Sequence, residues 1–131
     1  MNDSGLSIVD YQISLPRGLT LPGKSLTKLC QHWQIVELSL FGSILREDFN
    51  ADSDIDVLVK FSEEARITFF DFDVIEQQLS QLFQRPVDVV TKQAIEQSHN
   101  PIRRKNILDN SKVIYKQRVY WTRNSINLIR V

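Results

Sequence analysis

The sequence predicts an α/β or α+β domain, in which helices cover a small β-sheet. Two long stretches repeat apolar residues at helical spacing, and several short runs are apolar and rich in branched residues, as strands are. Turn and capping residues separate these stretches. The elements therefore follow one another in the order α-β-β-α-β-α-β, and 131 residues are enough for one packed core.

The first helix is predicted over residues 23–33, because Leu26, Leu29, Cys30 and Trp33 recur at spacings that place them on one face. Each of these side chains is apolar or readily buried. We expect this face to pack on the sheet.

Two strands are predicted on either side of an acidic loop. The run IVELSLF, residues 35–41, is short, apolar and branched. In the second strand, Ile55, Val57, Val59 and Phe61 alternate with other residues, the period that a strand with one buried face requires.

The remaining elements follow from periodicity and from prolines. A second helix ends before Pro86, which cannot continue it. The run PVDVVT, residues 86–91, predicts a third strand, and VIYK, residues 113–116, a fourth. Asn100 is a residue type that caps helices, and the proline after it suits the first position of a helix. A helix is therefore predicted over residues 101–109. The second helix carries its apolar side chains at Phe72, Ile75, Leu79, Leu82 and Phe83.

We predict a folded domain over residues 22–116, an N-terminal arm or leader over residues 1–21, and a basic tail over residues 117–131. Whether the tail is disordered or binds a partner stays open. From Lys116 onward there are four basic residues and no acidic ones, so residues 1–115 carry a formal charge of −4. Such a body is unlike that of a nucleic-acid-binding protein, and we expect no nucleic-acid partner.

A cytoplasmic location is expected. No window approaches the run of about 18 apolar residues that a membrane span needs, and the first residues lack the basic and apolar segments of a signal peptide. The only cysteine, Cys30, cannot form an internal disulfide, which fits a reducing compartment. We expect no membrane contact.

Three carboxylates are expected to lie together. Alternate side chains of a strand share a face, so Asp54 and Asp56 lie side by side while Ile55 and Val57 face the interior. Asp88 lies in the third strand and joins them if the two strands are neighbours. Unneutralised carboxylates repel one another, and divalent cations remove that cost. All-oxygen ligation suits Mg²⁺, which the sequence therefore predicts here.

A glycine–serine pair ends the first strand and adjoins this acidic stretch. Gly42 has no side chain and lets the backbone approach a ligand closely. Ser43 begins a predicted short helix, whose free N–H groups and the serine hydroxyl form a cradle for phosphate. A phosphate cradle beside a carboxylate metal site indicates phosphoryl or nucleotidyl transfer.

Simpler interpretations compete with this one. An acidic loop is most often solvated surface, and Asp88 alone can be a residue that caps or pairs within the fold. A calcium-binding EF-hand loop is excluded, because its glycine position holds Ser53 and its closing glutamate position holds Val59.

The conjunction of motifs resembles the DNA polymerase β nucleotidyltransferase superfamily. The segment FGSILREDFNADSDIDVLVKF is similar to that of minimal nucleotidyltransferases, the antitoxin partners in HEPN–MNT toxin–antitoxin modules. The likeness extends through PVDVVT to the closing NPIRRKNILDNSKVIY, over residues 21–115. It implies the polymerase β-like fold, a small mixed β-sheet flanked by helices.

The resemblance also implies roles for the site residues. Gly42 and Ser43 would hold the triphosphate of ATP. Asp54 and Asp56 would bind two Mg²⁺ ions, and Asp88 would complete one metal site beside the attacking hydroxyl. Pyrophosphate would leave as a nucleoside monophosphate is transferred.

Arg46 has two interpretations, contact with phosphate or a surface pair with Glu47 or Asp48. The segment Arg103-Arg104-Lys105 likewise has two: solvated surface by default, or contact with an acidic partner or with nucleotide phosphates. His32 and His99 lack metal-ligand spacing and are expected to be structural or exposed.

The family also implies a partner. The predicted function is that of an antitoxin that transfers AMP from ATP to a tyrosine hydroxyl of its cognate HEPN-type RNase toxin. The catalytic pattern occupies nearly the whole chain, which favours a macromolecular acceptor that brings its own binding surface. Two alternatives remain: an antitoxin that neutralises the toxin by binding alone, and a nucleotidyltransferase that modifies a small molecule such as an antibiotic.

Overall fold

The computed structural model confirms the predicted fold class, a small mixed β-sheet flanked by helices. It describes residues 11–117 and, as backbone alone, residues 119–121 and 128–130. In that part of the chain, no helix is both long enough and apolar enough to cross a bilayer. The elements in chain order are β1 (Gln12–Ser14), β2 (Thr20–Pro22), α1 (Gly23–Trp33), β3 (Ile35–Phe41), β4 (Ile55–Phe61), α2 (Phe69–Phe83), β5 (Val87–Thr91), α3 (Lys92–Glu96), α4 (Pro101–Asn110), β6 (Lys112–Lys116), β7 (Val119–Trp121) and β8 (Leu128–Arg130).

The central sheet has four strands in the order β5-β4-β3-β6. β3 runs antiparallel to both of its neighbours, whereas β4 and β5 are parallel. Parallel strands need a long crossover connection, and α2 supplies it. The result is the mixed sheet that the sequence resemblance implied.

Three elements, α1, β3 and β4, have the bounds that their periodicity predicted. The second helix begins earlier than its apolar repeat, at Phe69, because Thr68 caps it. The Thr68 hydroxyl accepts a hydrogen bond from the Asp71 backbone N–H at 3.1 Å, and the Asp71 carboxylate accepts one from the Thr68 N–H at 3.0 Å. This reciprocal capping box satisfies two donors of the first turn.

Different helices cover the two faces of the sheet. Val57 of β4 lies in the main core, to which α1 and α2 contribute. Leu58 faces the other way and forms a second cluster with Phe41 of β3 and Ile95 of α3, against which α4 also packs. Because side chains alternate along a strand, Asp56 shares the face of Leu58. The predicted site therefore lies on the side of α3 and α4.

The N-terminal part of the described chain belongs to the packed body. β1 and β2 pair as an antiparallel hairpin, and Leu15 and Leu21 are buried in the main core. Residues 11–21 are thus more than an arm, because their apolar side chains have a core to join. The first ten residues of the predicted arm or leader lie outside the described residues.

Two further features were not predicted. The five-residue helix α3 follows β5 directly, and the Thr91 side chain caps it by accepting from the Ala94 backbone N–H at 3.1 Å. In the tail, β7 and β8 pair antiparallel. The remainder of the tail, including all of its side chains beyond Gln117, lies outside the described residues.

Cys30 is fully buried on α1, and burial raises the pKa of its thiol from 9.0 to about 12. The pKa of the thiol is higher in the folded protein than in the unfolded chain. The contribution of the neutral, buried thiol to the free energy of unfolding is therefore complete below about pH 9 and is lost as the pH rises toward 12. It also lowers the reactive thiolate fraction of the native protein by about 1,000-fold at neutral pH.

We expect a thiol reagent at about pH 8 to modify the native protein at least about 100-fold more slowly than the urea-unfolded chain. Cys30 is the only cysteine of the sequence, so the release of a chromogenic thiol reports on this residue alone. Equal rates in the native and unfolded states would contradict the packing described for α1.

Candidate active site

The parallel pairing of β4 with β5 places two of the predicted site residues next to each other. Asp56 and Asp88 are register partners, and paired residues of neighbouring strands direct their side chains to the same face. Asp56 is partly buried, whereas Asp88 is exposed. The two carboxylates therefore open toward solvent near the first residues of both strands.

Asp54 lies outside the strand, one residue before β4 begins, and is exposed. The Ile55 backbone N–H donates to the Pro86 carbonyl at 2.9 Å, which ties the start of β4 to the start of β5. The negative charge of Asp54 contributes to raising the pKa of Asp56. Asp54 thus lies within electrostatic reach of the pair without being part of the strand register.

The charges around Asp56 do not balance. Its pKa is raised, first by burial and then by the negative charges of Asp88 and Asp54. The guanidinium groups of Arg46 and Arg103 act in the opposite direction but do not reverse the shift. A region of net negative potential favours the binding of a cation.

Gly42 lets the chain turn directly against Asp56. Phe41, the last residue of β3, is the register partner of Asp56. Gly42 has a φ of +79°, a conformation that residues with a side chain rarely adopt. A Cβ at this position would collide with the Asp56 carboxylate. The backbone conformation therefore favours glycine, and any side chain at this position would have to displace the Asp56 carboxylate.

Ser43 belongs to a 3₁₀ turn over Gly42–Leu45. The Arg46 backbone N–H donates to the Ser43 carbonyl at 2.8 Å and closes the turn. No side chain caps its first residues, and among the described residues no group forms a hydrogen bond with the Ser43 hydroxyl. The turn thus presents a free hydroxyl and uncapped N–H groups near the two carboxylates.

Arg85 holds the acidic loop between this turn and β4. Its guanidinium donates to the carbonyl oxygens of Asn50 and Ser53 at 3.1 and 2.7 Å, and it lies 4.5 Å from the ring centroid of Phe49. The Asn50 N–H donates to the Ser53 hydroxyl at 3.0 Å. This role of Arg85 was not predicted, because its contacts join residues more than thirty positions apart in the chain. The loop that leads into Asp54 is consequently held in one conformation by Arg85 and by its own hydrogen bond.

Arg46 forms the surface ion pair that was one of its two predicted interpretations. Its Nε donates to Asp48 Oδ1 at 3.2 Å, and both side chains are exposed. Exposed pairs of this kind contribute about 0–1 kcal/mol. The pair therefore poses a small barrier to contact between Arg46 and an incoming phosphate.

The three basic residues at the start of α4 have different surroundings. Arg104 donates to the Ser98 carbonyl at 2.6 Å, and Lys105 pairs with Asp109 at 2.8 Å. Arg103 has no side-chain hydrogen bond or ion pair within the described part of the chain, yet its charge acts on Asp56. Arg103 was considered only as one of a basic group, and the structure distinguishes it from its neighbours.

The donor set can be tested against a Mg²⁺ ion. Among the side chains that the structure describes, no three histidine, cysteine, aspartate or glutamate residues are gathered closely enough to form a metal cluster. Asp56 and Asp88 nevertheless fit the ion, since Mg²⁺ commonly takes one or two protein carboxylates and completes its shell with waters and substrate phosphates. His32 and His99 are exposed and belong to no such group.

Comparisons with known proteins relate this arrangement to nucleotidyl transfer. The model of the nucleotidyltransferase domain family matches residues 23–114. A candidate protein adenylyltransferase of Methanocaldococcus jannaschii, MJ1379, is 32% identical over 75 residues, which are 57% of this chain and 72% of that protein.

Solved structures share the fold. One described as a candidate minimal nucleotidyltransferase has a TM-score of 0.52 at 28% identity, over 70% of this chain and 85% of its own. A toxin–antitoxin structure with AMP-PNP has a TM-score of 0.54 over 71% of this chain and 72% of its own. Its identity is 19%, so this second likeness concerns the fold alone.

The two constraints on Gly42 can be separated by comparing it with Gly18. Gly18 has a similar φ of +75°, but a Cβ there would meet nothing within 4 Å. We expect Gly42→Ala and Gly18→Ala each to lower the free energy of unfolding by about 1–2 kcal/mol from backbone strain. Gly42→Ala alone should also displace the Asp56 carboxylate and lower nucleotidyl transfer by at least about tenfold.

Urea unfolding and transfer of a labelled nucleotide measure the two effects. If both variants lose activity equally, the contact between the turn and Asp56 has no role in the site.

Proposed function

We propose that this chain, which belongs to the nucleotidyltransferase domain family, is a protein adenylyltransferase. Such an enzyme transfers AMP from ATP to a hydroxyl group of a protein. The similarity of the chain to MJ1379 supports a protein as the acceptor. The observation that carries the proposal is the register pairing of Asp56 with Asp88 beside the Gly42 turn. Family membership makes a nucleotide the substrate, and this pairing indicates where the nucleotide would react.

The turn would receive the triphosphate. The N–H groups after Gly42 and the Ser43 hydroxyl are donors that no side chain of the described residues occupies, and phosphate oxygens are suitable acceptors. Arg46 lies one residue beyond the turn and would add positive charge once it leaves Asp48. These donors would fix the α-phosphate near the carboxylates.

Asp54, Asp56 and Asp88 would hold two Mg²⁺ ions together with the phosphates. When bound, such ions stabilise the charge on the phosphates and on the attacking and leaving oxygens. The raised pKa of Asp56 has its origin partly in Asp88 and Asp54, and these negative charges are what would attract the ions. We assign Asp88 to the acceptor side, because it is the more exposed member of the pair.

The transfer is a displacement at the α-phosphorus. The acceptor hydroxyl oxygen forms a bond to that phosphorus, while the bond from the phosphorus to the bridging oxygen of pyrophosphate breaks. Pyrophosphate leaves with the electron pair, and the hydroxyl proton passes to water. The task of the chain is to hold both reactants in line, which accounts for a large part of the rate gain in such reactions.

For the acceptor, we propose a tyrosine of a cognate HEPN-type RNase toxin, with this chain as its cytoplasmic antitoxin. The motif FGSILREDFNADSDIDVLVKF resembles that of antitoxins in HEPN–MNT modules. The fold is also found in a toxin–antitoxin structure with AMP-PNP. Modification of a toxin tyrosine would then neutralise the RNase.

The test is to incubate the protein with Mg²⁺, ATP labelled at the α-phosphate, and the HEPN toxin of the same operon. We expect label on a toxin tyrosine, and a loss of at least about 1,000-fold for Asp56→Asn or Asp88→Asn, because each removes one charge from the site. Asp73→Asn, which removes one charge from the exposed side of α2, is the matched control and should retain full activity.

Two outcomes contradict parts of the proposal. An unlabelled toxin, with a folded protein and Mg²⁺ present, rules out this acceptor. If Asp56→Asn still protects cells from the toxin as well as Asp73→Asn does, neutralisation results from binding alone.

A further inference from the structure

One face of α4 is directed at the Gly42 turn. Arg103, Asn106, Ile107 and Asn110 follow one another at the spacings i, i+3, i+4 and i+7, which place them along one side of a helix. Three of them, from Asn106 to Asn110, line a cavity of about 450 Å³ that reaches Gly42. This volume falls within the range of about 300–1,000 Å³ that small-molecule sites have.

The walls of the cavity suit a nucleoside. Leu45 of the turn and Ile107 of α4 contribute apolar surface, and the amides of Asn106 and Asn110 add a few polar groups. A flat base needs apolar contact on its faces and hydrogen-bonding groups at its edge. The position next to Gly42 would place the sugar close to the donors proposed for the phosphates.

The orientation of the Asn110 amide is set by the helix. Its Nδ2 donates to the Asn106 carbonyl at 2.9 Å, and because a carbonyl only accepts, the nitrogen must be the atom on that side. The oxygen Oδ1 is left as a hydrogen-bond acceptor. An acceptor at a base edge favours the amino group of adenine over the carbonyl oxygen that guanine has at the same position.

Arg103 lies four residues before Ile107 on the same face of α4 and has no ion-pair partner within the described residues. Its backbone N–H donates to the Asn100 side chain at 3.0 Å, which fixes the first turn of α4. The Arg103 side chain is exposed and lies one helical turn before Asn106 and Ile107, which line the cavity. An exposed guanidinium at this position is suited to two phosphate oxygens at once.

We propose that this face of α4 is the nucleotide-reading surface of the enzyme: Arg103 binds the β- and γ-phosphates, and the cavity at Asn106 and Asn110 holds the adenine nucleoside. The inference rests on the proposed nucleotidyl transfer and extends it, since it assigns the base and the leaving pyrophosphate to a helix outside the glycine–serine and aspartate motifs.

The experiment is calorimetric titration in Mg²⁺ with the α,β-methylene analogues of ATP and GTP, which the enzyme cannot cleave, and with AMP. We expect Arg103→Ala to weaken binding of the ATP analogue by about 10- to 100-fold, from the loss of charge-assisted hydrogen bonds. AMP lacks the β- and γ-phosphates, so its binding should change by less than about threefold. Asn110→Ala should instead reduce the preference for the ATP analogue over the GTP analogue.

Lys105→Ala is the matched control, because it removes a positive charge from the same helix at a residue that pairs with Asp109. It should bind all three nucleotides as the wild type does. Arg103→Gln, which keeps the length of the side chain, serves as a second variant, and circular dichroism verifies that each variant is folded.

Unchanged affinities in Arg103→Ala, Arg103→Gln and Asn110→Ala, with a wild type that binds the ATP analogue, overturn the role of α4 and leave nucleotidyl transfer standing. A folded wild type that binds no nucleotide in Mg²⁺ overturns both. The two failures are therefore distinguishable in one series of titrations.

Discussion

The parallel register of β4 and β5 is the interaction on which the candidate site depends. A shift of one residue in this pairing would turn Asp88 into the core and separate it from Asp56. The register is held on both sides of β5. On its outer edge, the Val87 and Val89 N–H groups donate to Ser80 and Glu76 of α2 at 3.0 and 2.9 Å. The helix that connects the two strands thus also fixes how they pair.

Much of this fold can be predicted from the local periodicity of apolar residues. The parts that could not be predicted depend on contacts between residues far apart in the sequence. The bounds of α1, β3 and β4 agree with their apolar periods, and the polymerase β-like nucleotidyltransferase fold implied by the FGSILREDFNADSDIDVLVKF motif is confirmed by the solved structures that share it. The hairpin before α1 was not predicted, because Leu15 and Leu21 form no local periodic pattern and are buried only by residues of the main core. Arg85 was missed for the same reason, since its partners lie across the fold.

For the site itself, sequence reasoning identified residue types and spacing but not surroundings. The expectation that Asp88 lies beside Asp56 required knowledge of strand order, which the motif alone does not contain. Arg103, Arg104 and Lys105 are consecutive basic residues. Only the packing of α4 shows that Arg104 supports a loop, that Lys105 pairs on the surface, and that Arg103 has no side-chain partner among the described residues. The collision that a Cβ at Gly42 would make with Asp56 is likewise a tertiary contact.

The hairpin of β1 and β2 has a practical consequence. The family match begins at residue 23, and a shortened protein cut at that boundary would keep every motif residue. It would, however, leave a groove in the core where Leu15 and Leu21 were, with apolar walls open to water. The residues that match the family are therefore fewer than the residues that must be expressed to obtain a soluble, well-packed protein.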